Sequence, residues 1–232
     1  MNEPKYQETS ISGHSAKLEA TGLRRLSGER VLLDDVSLSI QGGDRIAIVG
    51  PTGSGKTLLL RSLATLDSLD AGEVHWQGTP VRGNDVPTFR SQVTYLHQRP
   101  ALVEGTVEDN LRLPFALRVH RDRQFNRERV AELLSSLGRN DSFLSQQQRD
   151  LSGGESQLTS LLRAIQLDPI ILLLDEPTGA LDAASTRMVE TLVTRWLDEM
   201  PMIRATVWVT HDRDQPQRIS TSILRIREGK LS

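Results

Sequence analysis

Residues 50–57, which read Gly-Pro-Thr-Gly-Ser-Gly-Lys-Thr, constrain the fold of this chain more than any other segment. The apolar residues 45–49 before them predict a buried strand, and residues 58–63 predict the first turns of a helix. A glycine-rich turn between a strand and a helix N-terminus directs backbone N–H groups at one point, where an anion binds. Since the spacing is G-x-x-x-x-G-K-T, the sequence predicts an α/β fold that binds a nucleotide triphosphate.

Every residue of this loop is a candidate for nucleotide binding. The candidates are Gly50, Pro51, Thr52, Gly53, Ser54, Gly55, Lys56 and Thr57. The glycines let the backbone come close to phosphate groups. We expect the Lys56 ammonium to bind the β- and γ-phosphates, which also makes it a candidate catalytic residue, and the Thr57 hydroxyl to ligate Mg²⁺.

The composition excludes several other classes of protein. The chain has 232 residues, of which 37% are hydrophobic and 25% charged, and its formal net charge is −2. This is an ordinary globular composition without the basic excess of a nucleic-acid-binding protein. The chain has no cysteine, which excludes disulfides and thiolate metal sites and is compatible with a reducing cytosol.

The sequence pattern also predicts no membrane-spanning segment. No apolar run approaches the roughly 20 residues that span a bilayer. Residues 1–17 lack the apolar stretch of a secretory signal, so we expect a flexible extension there and one domain over residues 18–232. Any link to a membrane must then go through a partner.

The order of strand and helix patterns predicts the architecture. Residues 18–40 favour short paired strands. The continuous apolar run 170–174 is typical of a strand buried on both faces of a parallel sheet, and helical periodicity dominates residues 106–167. We therefore expect an α/β phosphate-loop NTPase fold with a mixed sheet core, N-terminal antiparallel strands and a helical subdomain at about 99–160.

Two carboxylates follow the apolar run. A carboxylate at the end of a buried strand is unfavourable unless it pairs with a positive charge or a metal ion. Asp175 is placed to hold Mg²⁺, and Glu176 could polarise an attacking water. The alternative is that the two acidic residues cap a helix.

A third motif, Leu-Ser-Gly-Gly-Glu at residues 151–155, opens a helical stretch. Such a helix start favours an anion. Ser152 can donate to a phosphate, and Gly153 and Gly154 permit close approach. The alternative is an ordinary capping box made by Ser152 and Glu155.

Together these motifs resemble those of the nucleotide-binding subunits of ABC transporters, over residues 18–228. The 151–155 segment resembles their signature motif, and residues 180–182 resemble their D-loop. Gln98 resembles the Q-loop glutamine, and His211 resembles the switch histidine. More narrowly, residues 95–100 and 106–111, with the 151–155 segment, resemble the bacterial iron-export branch.

The resemblance implies a mechanism in which two copies of the chain pack head to tail, with ATP and Mg²⁺ between the phosphate loop of one copy and the signature segment of the other. Glu176, His211 and Lys56 are the implied catalytic residues. The implied metal ligands are Thr57, Gln98 and Asp175. The implied nucleotide contacts outside the loop are Gln98, Ser152, Gly153, Gly154 and, at the dimer seam, Asp182.

The resemblance also implies a partner and a location. The partner would be an integral membrane permease encoded as a separate chain, which would hold this chain at the cytoplasmic face of the inner membrane; no nucleic acid is expected. The loop after Gln98 and residues 106–117 would dock that partner. We expect Leu111, Leu113 and Phe115 to be partly exposed there. Neither the cargo nor the direction of transport follows from the sequence.

This chain departs from the family pattern at two places. Glu155 stands where the signature motif usually has glutamine. The family commonly has an aromatic residue upstream of the phosphate loop that stacks on adenine, and residues 21–28 contain none. A guanidinium can stack on an aromatic face, so we expect Arg24 or Arg25 to cover the base. The alternative is a weakly held base and two solvated arginines.

Two other functions remain open at this point. One is a soluble ABC-type ATPase that acts on nucleic acid or ribosomes. Such proteins usually carry two cassettes or a long coiled-coil insert, and the sequence shows one cassette and no heptad run. The other is a phosphate-loop kinase of small metabolites, which shares only the first motif.

Overall fold

The computed structural model describes residues 17–232, so the extension expected at 1–17 lies outside the described residues apart from Lys17, which begins the first strand. The strands are β1 (Lys17–Ser27), β2 (Arg30–Gln41), β3 (Arg45–Val49), β4 (Ala71–Trp76), β5 (Thr79–Pro80), β6 (Val93–Leu96), β7 (Ile171–Asp175), β8 (Ala205–Val209), β9 (Ser222–Arg227) and β10 (Lys230–Leu231). The α-helices are α1 (Lys56–Leu63), α2 (Val86–Gln92), α3 (Val107–Arg112), α4 (Arg127–Ser136), α5 (Gly153–Ile165), α6 (Ala183–Glu199) and α7 (Gln215–Ile219). Short 3₁₀ turns cover Gly83–Asp85, Leu113–Ala116, Arg118–His120, Asp141–Ser145 and Gln148–Asp150.

The strands form two sheets. The first is antiparallel and has the order β2-β1-β4-β5. The second has the order β10-β9-β3-β8-β7-β6, with parallel pairing from β9 to β6 and an antiparallel β10 at its edge. The predicted mixed sheet and N-terminal antiparallel strands are confirmed.

The six-stranded sheet lies between two apolar clusters. Along β7, Leu172 and Leu174 pack with the helices α4, α5 and α6. Ile171 and Leu173 face the opposite way, toward α1 and the antiparallel sheet. Side chains alternate between the faces of a strand. Because both faces of β7 are covered, all of its residues are buried and the run is continuously apolar.

The segment between β6 and β7 is helical, as the sequence predicts. Its α-helices lie between Val107 and Ile165. Within it, the expected exposure of Leu111 is wrong. Leu111 is fully buried because α3 is amphipathic and turns Val107, Asn110 and Leu111 inward.

Other apolar side chains of this segment are exposed. Leu113 and Leu117 are 44% and 56% exposed, and Val103 in the preceding loop is 44% exposed. Phe115 is half-buried and makes an edge-to-face contact with Phe125. None of the helices in residues 17–232 combines the length and the apolar composition that a bilayer span requires.

Candidate nucleotide site

A cavity of ≈ 530 Å³ lies where β3 and β7 end. Ligands of open α/β sheets bind at the carboxyl ends of the strands, so the location fits a ligand site. One side is formed by the phosphate loop and the start of α1, through Thr52, Gly53, Gly55, Lys56 and Thr57. The other side is formed by Gln98, Glu176 and His211, and Arg30 and Leu32 of β2 complete the rim.

The phosphate loop has the backbone that its glycines predict. Gly55 has a φ of 107° and is the last residue before α1 begins. A side chain is disfavoured at such an angle, and glycine is not. A Cβ on Gly50 would lie 2.2 Å from the carbonyl oxygen of Ile226. The close packing at Gly50 and the turn at Gly55 therefore both require glycine.

The Lys56 ammonium is bound to its own loop. Its Nζ donates to the carbonyl oxygens of Gly50 and Pro51 at 2.8 and 2.9 Å. Burial lowers the pKa of Lys56, while the carboxylates of Glu176 and Asp175 act in the opposite direction. The residue is 6% exposed. Its ammonium lies among oxygen atoms at the cavity wall, where a phosphate would bind.

The Asp175 carboxylate is fully buried and has two hydroxyl donors. Thr57 Oγ1 donates to its Oδ1 at 3.2 Å, and the Tyr95 hydroxyl donates to its Oδ2 at 2.9 Å. β6 and β7 are adjacent parallel strands, which brings Tyr95 beside Asp175. No motif in the sequence marks Tyr95 as a site residue. Its position three residues before Gln98, at the end of the neighbouring strand, is the signal that could have found it.

Glu176 is held between two site residues. Its Oε1 lies 2.6 Å from His211 Nε2, and its Oε2 accepts from Gln98 Nε2 at 2.9 Å. Its φ of 50° is left-handed, a conformation that costs about 1–2 kcal/mol in an L-residue. Such strain persists where the surroundings hold it, and it is concentrated at functional sites.

The signature segment forms the capping box that the sequence left open as an alternative. Ser152 Oγ accepts from the Glu155 backbone N–H at 3.2 Å, and Glu155 Oε2 accepts from Ser152 N and Oγ at 3.0 and 2.9 Å. Arg139 Nη1 lies 3.3 Å from Glu155 Oε1. The backbone hydrogen bond from Ser152 lowers the pKa of Glu155, so the carboxylate is charged.

The residues expected to contact the nucleotide of a second copy do not line the cavity of the single chain: Ser152, Gly153, Gly154 and Asp182. Asp182 caps α6, where its Oδ1 accepts from Ser185 N at 2.7 Å. The two halves of the expected site therefore lie apart within one copy.

The arginines proposed to cover the base lie elsewhere. Arg25 Nη1 is 3.3 Å from Asp70 Oδ2, and neither Arg24 nor Arg25 lines the cavity. The pairing of β1 with β2 shifts register between Ala20 and Leu26, which sequence reasoning missed. Arg30 and Leu32 occupy the rim instead, and Arg30 makes no ion pair within residues 17–232.

Comparison with known proteins decides the family. The model of the family described as ABC transporter matches residues 33–179, from β2 to just beyond Glu176. The chain belongs to the ABC transporter family. It is an ABC-type ATPase, which binds ATP and couples its hydrolysis to transport. This membership excludes the alternative of a small-metabolite kinase.

Similar proteins differ in the transport that their names describe. This ABC ATPase is 35% identical to the probable iron export ATP-binding protein FetA of Escherichia coli K12, over 87% of this chain and 88% of that protein. It is 37% identical to the sulfate/thiosulfate import ATP-binding protein CysA of Bordetella bronchiseptica, over 92% of this chain but 60% of that protein.

A solved structure shares the fold. The ATP-binding cassette MJ0796, solved as a dimer in a post-hydrolysis state with ADP and Pi, aligns with a TM-score of 0.80 and 26% identity. The alignment covers 93% of this ABC ATPase and 96% of that chain. The α/β phosphate-loop NTPase fold predicted from the sequence is confirmed.

Proposed function

We propose that this chain powers a membrane transporter as a head-to-tail homodimer. The observation that carries the proposal is the division of the site. Lys56, Glu176 and His211 share one cavity, whereas Ser152 and Gly154 lie outside it. A second copy that supplies its Ser152 and Gly154 would complete the donors around a triphosphate. Distributed donors suit the charge-spread transition state of phosphoryl transfer.

The proposal gives a role to the polar residues of the expected site. Lys56 and the loop N–H groups bind the phosphates. Glu176 orients the attacking water and accepts a proton from it. Gln98 and His211 hold the Glu176 carboxylate in place. His211 contacts the γ-phosphate, and Asp182 lies at the dimer seam.

The donor set fits Mg²⁺. Within the described residues no group of three or more His, Cys, Asp or Glu side chains could hold a metal alone. Mg²⁺ is usually bound by one or two protein oxygens together with substrate phosphates. The Thr57 hydroxyl and the Asp175 carboxylate, 3.2 Å apart, are such a pair, and the Gln98 amide oxygen is a third candidate. When bound, the ion would neutralise charge on the phosphates.

For the partner we propose an integral membrane permease, which holds this chain at the cytoplasmic face of the inner membrane. The exposed side chains of Val103, Leu113 and Leu117 support a docking surface there. For the cargo we propose metal export, with iron as the first ion to test. The support is the likeness to FetA over nearly the whole of both chains.

The dimer is tested with Glu176→Gln. We expect this variant to bind ATP, to hydrolyse it slowly and to elute as a dimer in Mg-ATP, measured by light scattering during gel filtration. A variant that binds ATP and stays monomeric at saturating Mg-ATP would overturn the head-to-tail arrangement.

Co-purification from membranes tests the partner. We expect a tagged wild-type chain to retain an integral membrane protein, and recovery of only RNA or DNA would favour the alternative of a soluble ABC-type ATPase. Removal of the gene should raise cellular iron if the cargo is exported iron. An unchanged iron content with impaired sulfate uptake would overturn iron export.

A further inference from the structure

Gln157 lies one turn into α5, and the proposed mechanism gives it no role. Its side chain is polar, yet the residue is only 6% exposed. Buried amides are unfavourable unless they are hydrogen-bonded. Gln157 meets this requirement without using its own helix as a partner, because both ends of its amide bind the backbone of other segments.

The amide of Gln157 connects three segments. Nε2 lies 3.3 Å from the carbonyl oxygens of Gln98 and Glu176. Oε1 accepts from the backbone N–H of Ala180 at 3.0 Å. These partners belong to the loop after β6, the end of β7 and the loop before α6. A single side chain therefore links the loop of Gln98, the backbone of Glu176 and the loop that leads to Asp182.

Two features make the contact with Glu176 important. Glu176 has a left-handed φ of 50°, so its neighbours must hold its backbone. Its carbonyl oxygen accepts from Gly179 N at 3.1 Å and from Gln157 Nε2 at 3.3 Å. The Gln98 side chain, whose backbone Gln157 also binds, donates to the Glu176 carboxylate. Gln157 thus supports Glu176 directly and through Gln98.

The start of α5 packs against the same loop. A Cβ on Gly154 would lie 2.9 Å from Leu181 Cδ2 and 3.0 Å from the carbonyl oxygen of Ala180. The signature segment therefore contacts residues 180–181 at its glycine and again at Gln157. A shift of the α5 N-terminus must move this loop or break its contacts.

We infer that Gln157 is a positioning residue, which ties the helix of the signature segment to the backbone of Glu176 and so sets the orientation of its carboxylate. The inference rests on the proposed role of Glu176 in hydrolysis. In the proposed dimer, the N-terminus of α5 contacts the nucleotide of the other copy. Gln157 would then relay that contact to the Glu176 of its own copy.

The test is Gln157→Met, which keeps the unbranched shape and removes both hydrogen-bonding groups. We expect kcat for ATP hydrolysis to fall roughly 10- to 100-fold, as misplaced catalytic groups do, with the Kd for ATP changed less than about 2-fold. Hydrogen exchange at the Ala180 amide should become faster, because its acceptor is lost.

Gln166→Met is the matched control. Gln166 follows directly after α5, and its Nε2 donates to the Leu111 carbonyl oxygen at 2.7 Å, away from the cavity. We expect this control to lose thermal stability without a change in kcat. An equal fall in kcat for both variants would assign Gln157 a purely structural role and overturn the inference.

A double variant separates positioning from an independent effect. Glu176→Gln removes the group through which Gln157 is proposed to act, so adding Gln157→Met should leave the residual rate unchanged. A further fall of about 10-fold would overturn the inference. Failure of the wild-type chain to hydrolyse ATP would instead contradict the proposed function, and the two failures are distinguishable.

Discussion

His211 Nε2 lies 2.6 Å from Glu176 Oε1, although the two residues follow different strands of the sheet. β7 and β8 are paired in parallel, with Asp175 opposite Val209. Their ends therefore bring the two side chains to the same edge. Gln98 Nε2 binds the other carboxylate oxygen at 2.9 Å, so Glu176 is restrained from both sides.

We expect His211→Ala to lower kcat for ATP hydrolysis by about 100-fold, because Glu176 loses one of its two restraining contacts and the γ-phosphate loses a proposed contact. Steady-state hydrolysis with Mg-ATP measures the effect. His97→Ala is the control, since His97 is exposed and does not line the cavity. Comparable losses in both variants would contradict the role of His211.

Arg30 and Arg25 give a matched pair for the base. Arg30 is at the cavity rim without an ion-pair partner in the described part of the chain, whereas Arg25 is bound to Asp70. A stacked guanidinium contributes about 0.5–2 kcal/mol. We therefore expect Arg30→Ala to weaken ATP binding by roughly 3- to 30-fold in calorimetry, and Arg25→Ala to leave it unchanged.

Inorganic tripolyphosphate distinguishes two roles of Arg30. If Arg30 covers the base, Arg30→Ala binds tripolyphosphate as tightly as the wild type does. An equal loss for ATP and tripolyphosphate would show that Arg30 binds phosphate. A loss of ATP affinity in Arg25→Ala alone would support the role that the sequence predicts for Arg25.

Tyr95→Phe removes one hydroxyl and little else. Burial raises the pKa of Tyr95, and the Asp175 carboxylate adds to the effect, so the hydroxyl stays protonated and donates. Groups that orient metal ligands typically change metal affinity by about 10- to 100-fold. We therefore expect Tyr95→Phe to weaken the binding of Mn²⁺ in the presence of ATP by about 10-fold, measured by electron paramagnetic resonance. Unchanged Mn²⁺ affinity would show that Tyr95 does not orient Asp175.

His120 makes stability depend on pH. The side chain is 4% exposed, and its Nδ1 has no partner within residues 17–232. Burial lowers the pKa of His120 from its ordinary 6.5, and Arg123 adds to this effect. The folded chain therefore keeps the imidazole neutral in a range where the unfolded chain binds a proton. The free energy of unfolding should decrease as the pH falls from 6.5 toward the lowered pKa.

His120→Leu tests this dependence. We expect urea unfolding of the wild type to lose more stability between about pH 7.5 and about pH 5.5 than the variant does. Leucine places an apolar side chain in the buried position and has no group that binds a proton. Parallel losses in the two proteins would assign the pH dependence to other groups.

The sequence predicted the parts of this structure that depend on local pattern. The apolar run of β7 and the loop 50–57 each have a local structure that a few consecutive residues determine. The rim of the cavity depends on strand register instead. The pairing of β1 shifts register between Ala20 and Leu26, Arg25 lies beside Asp70, and no local pattern predicts these shifts.

Burial near α3 depends on the face that the helix turns to the core, and sequence reasoning did not identify that face. Leu111 and Leu113 are two residues apart, but only Leu111 faces the core. Gln157 was missed for a related reason, since its three partners come from segments far apart in the chain. Contacts of this kind require the assembled fold.

The hydrogen bonds of Lys56 bear on the thermodynamics of ATP binding. The ammonium already has two carbonyl acceptors, at Gly50 and Pro51. A triphosphate must compete with these acceptors or share the ammonium protons with them. Binding is then an exchange of partners, and the affinity reports a difference between two sets of hydrogen bonds. Because the loop already holds the Lys56 ammonium in place, the Lys56 side chain loses little conformational entropy when a nucleotide binds.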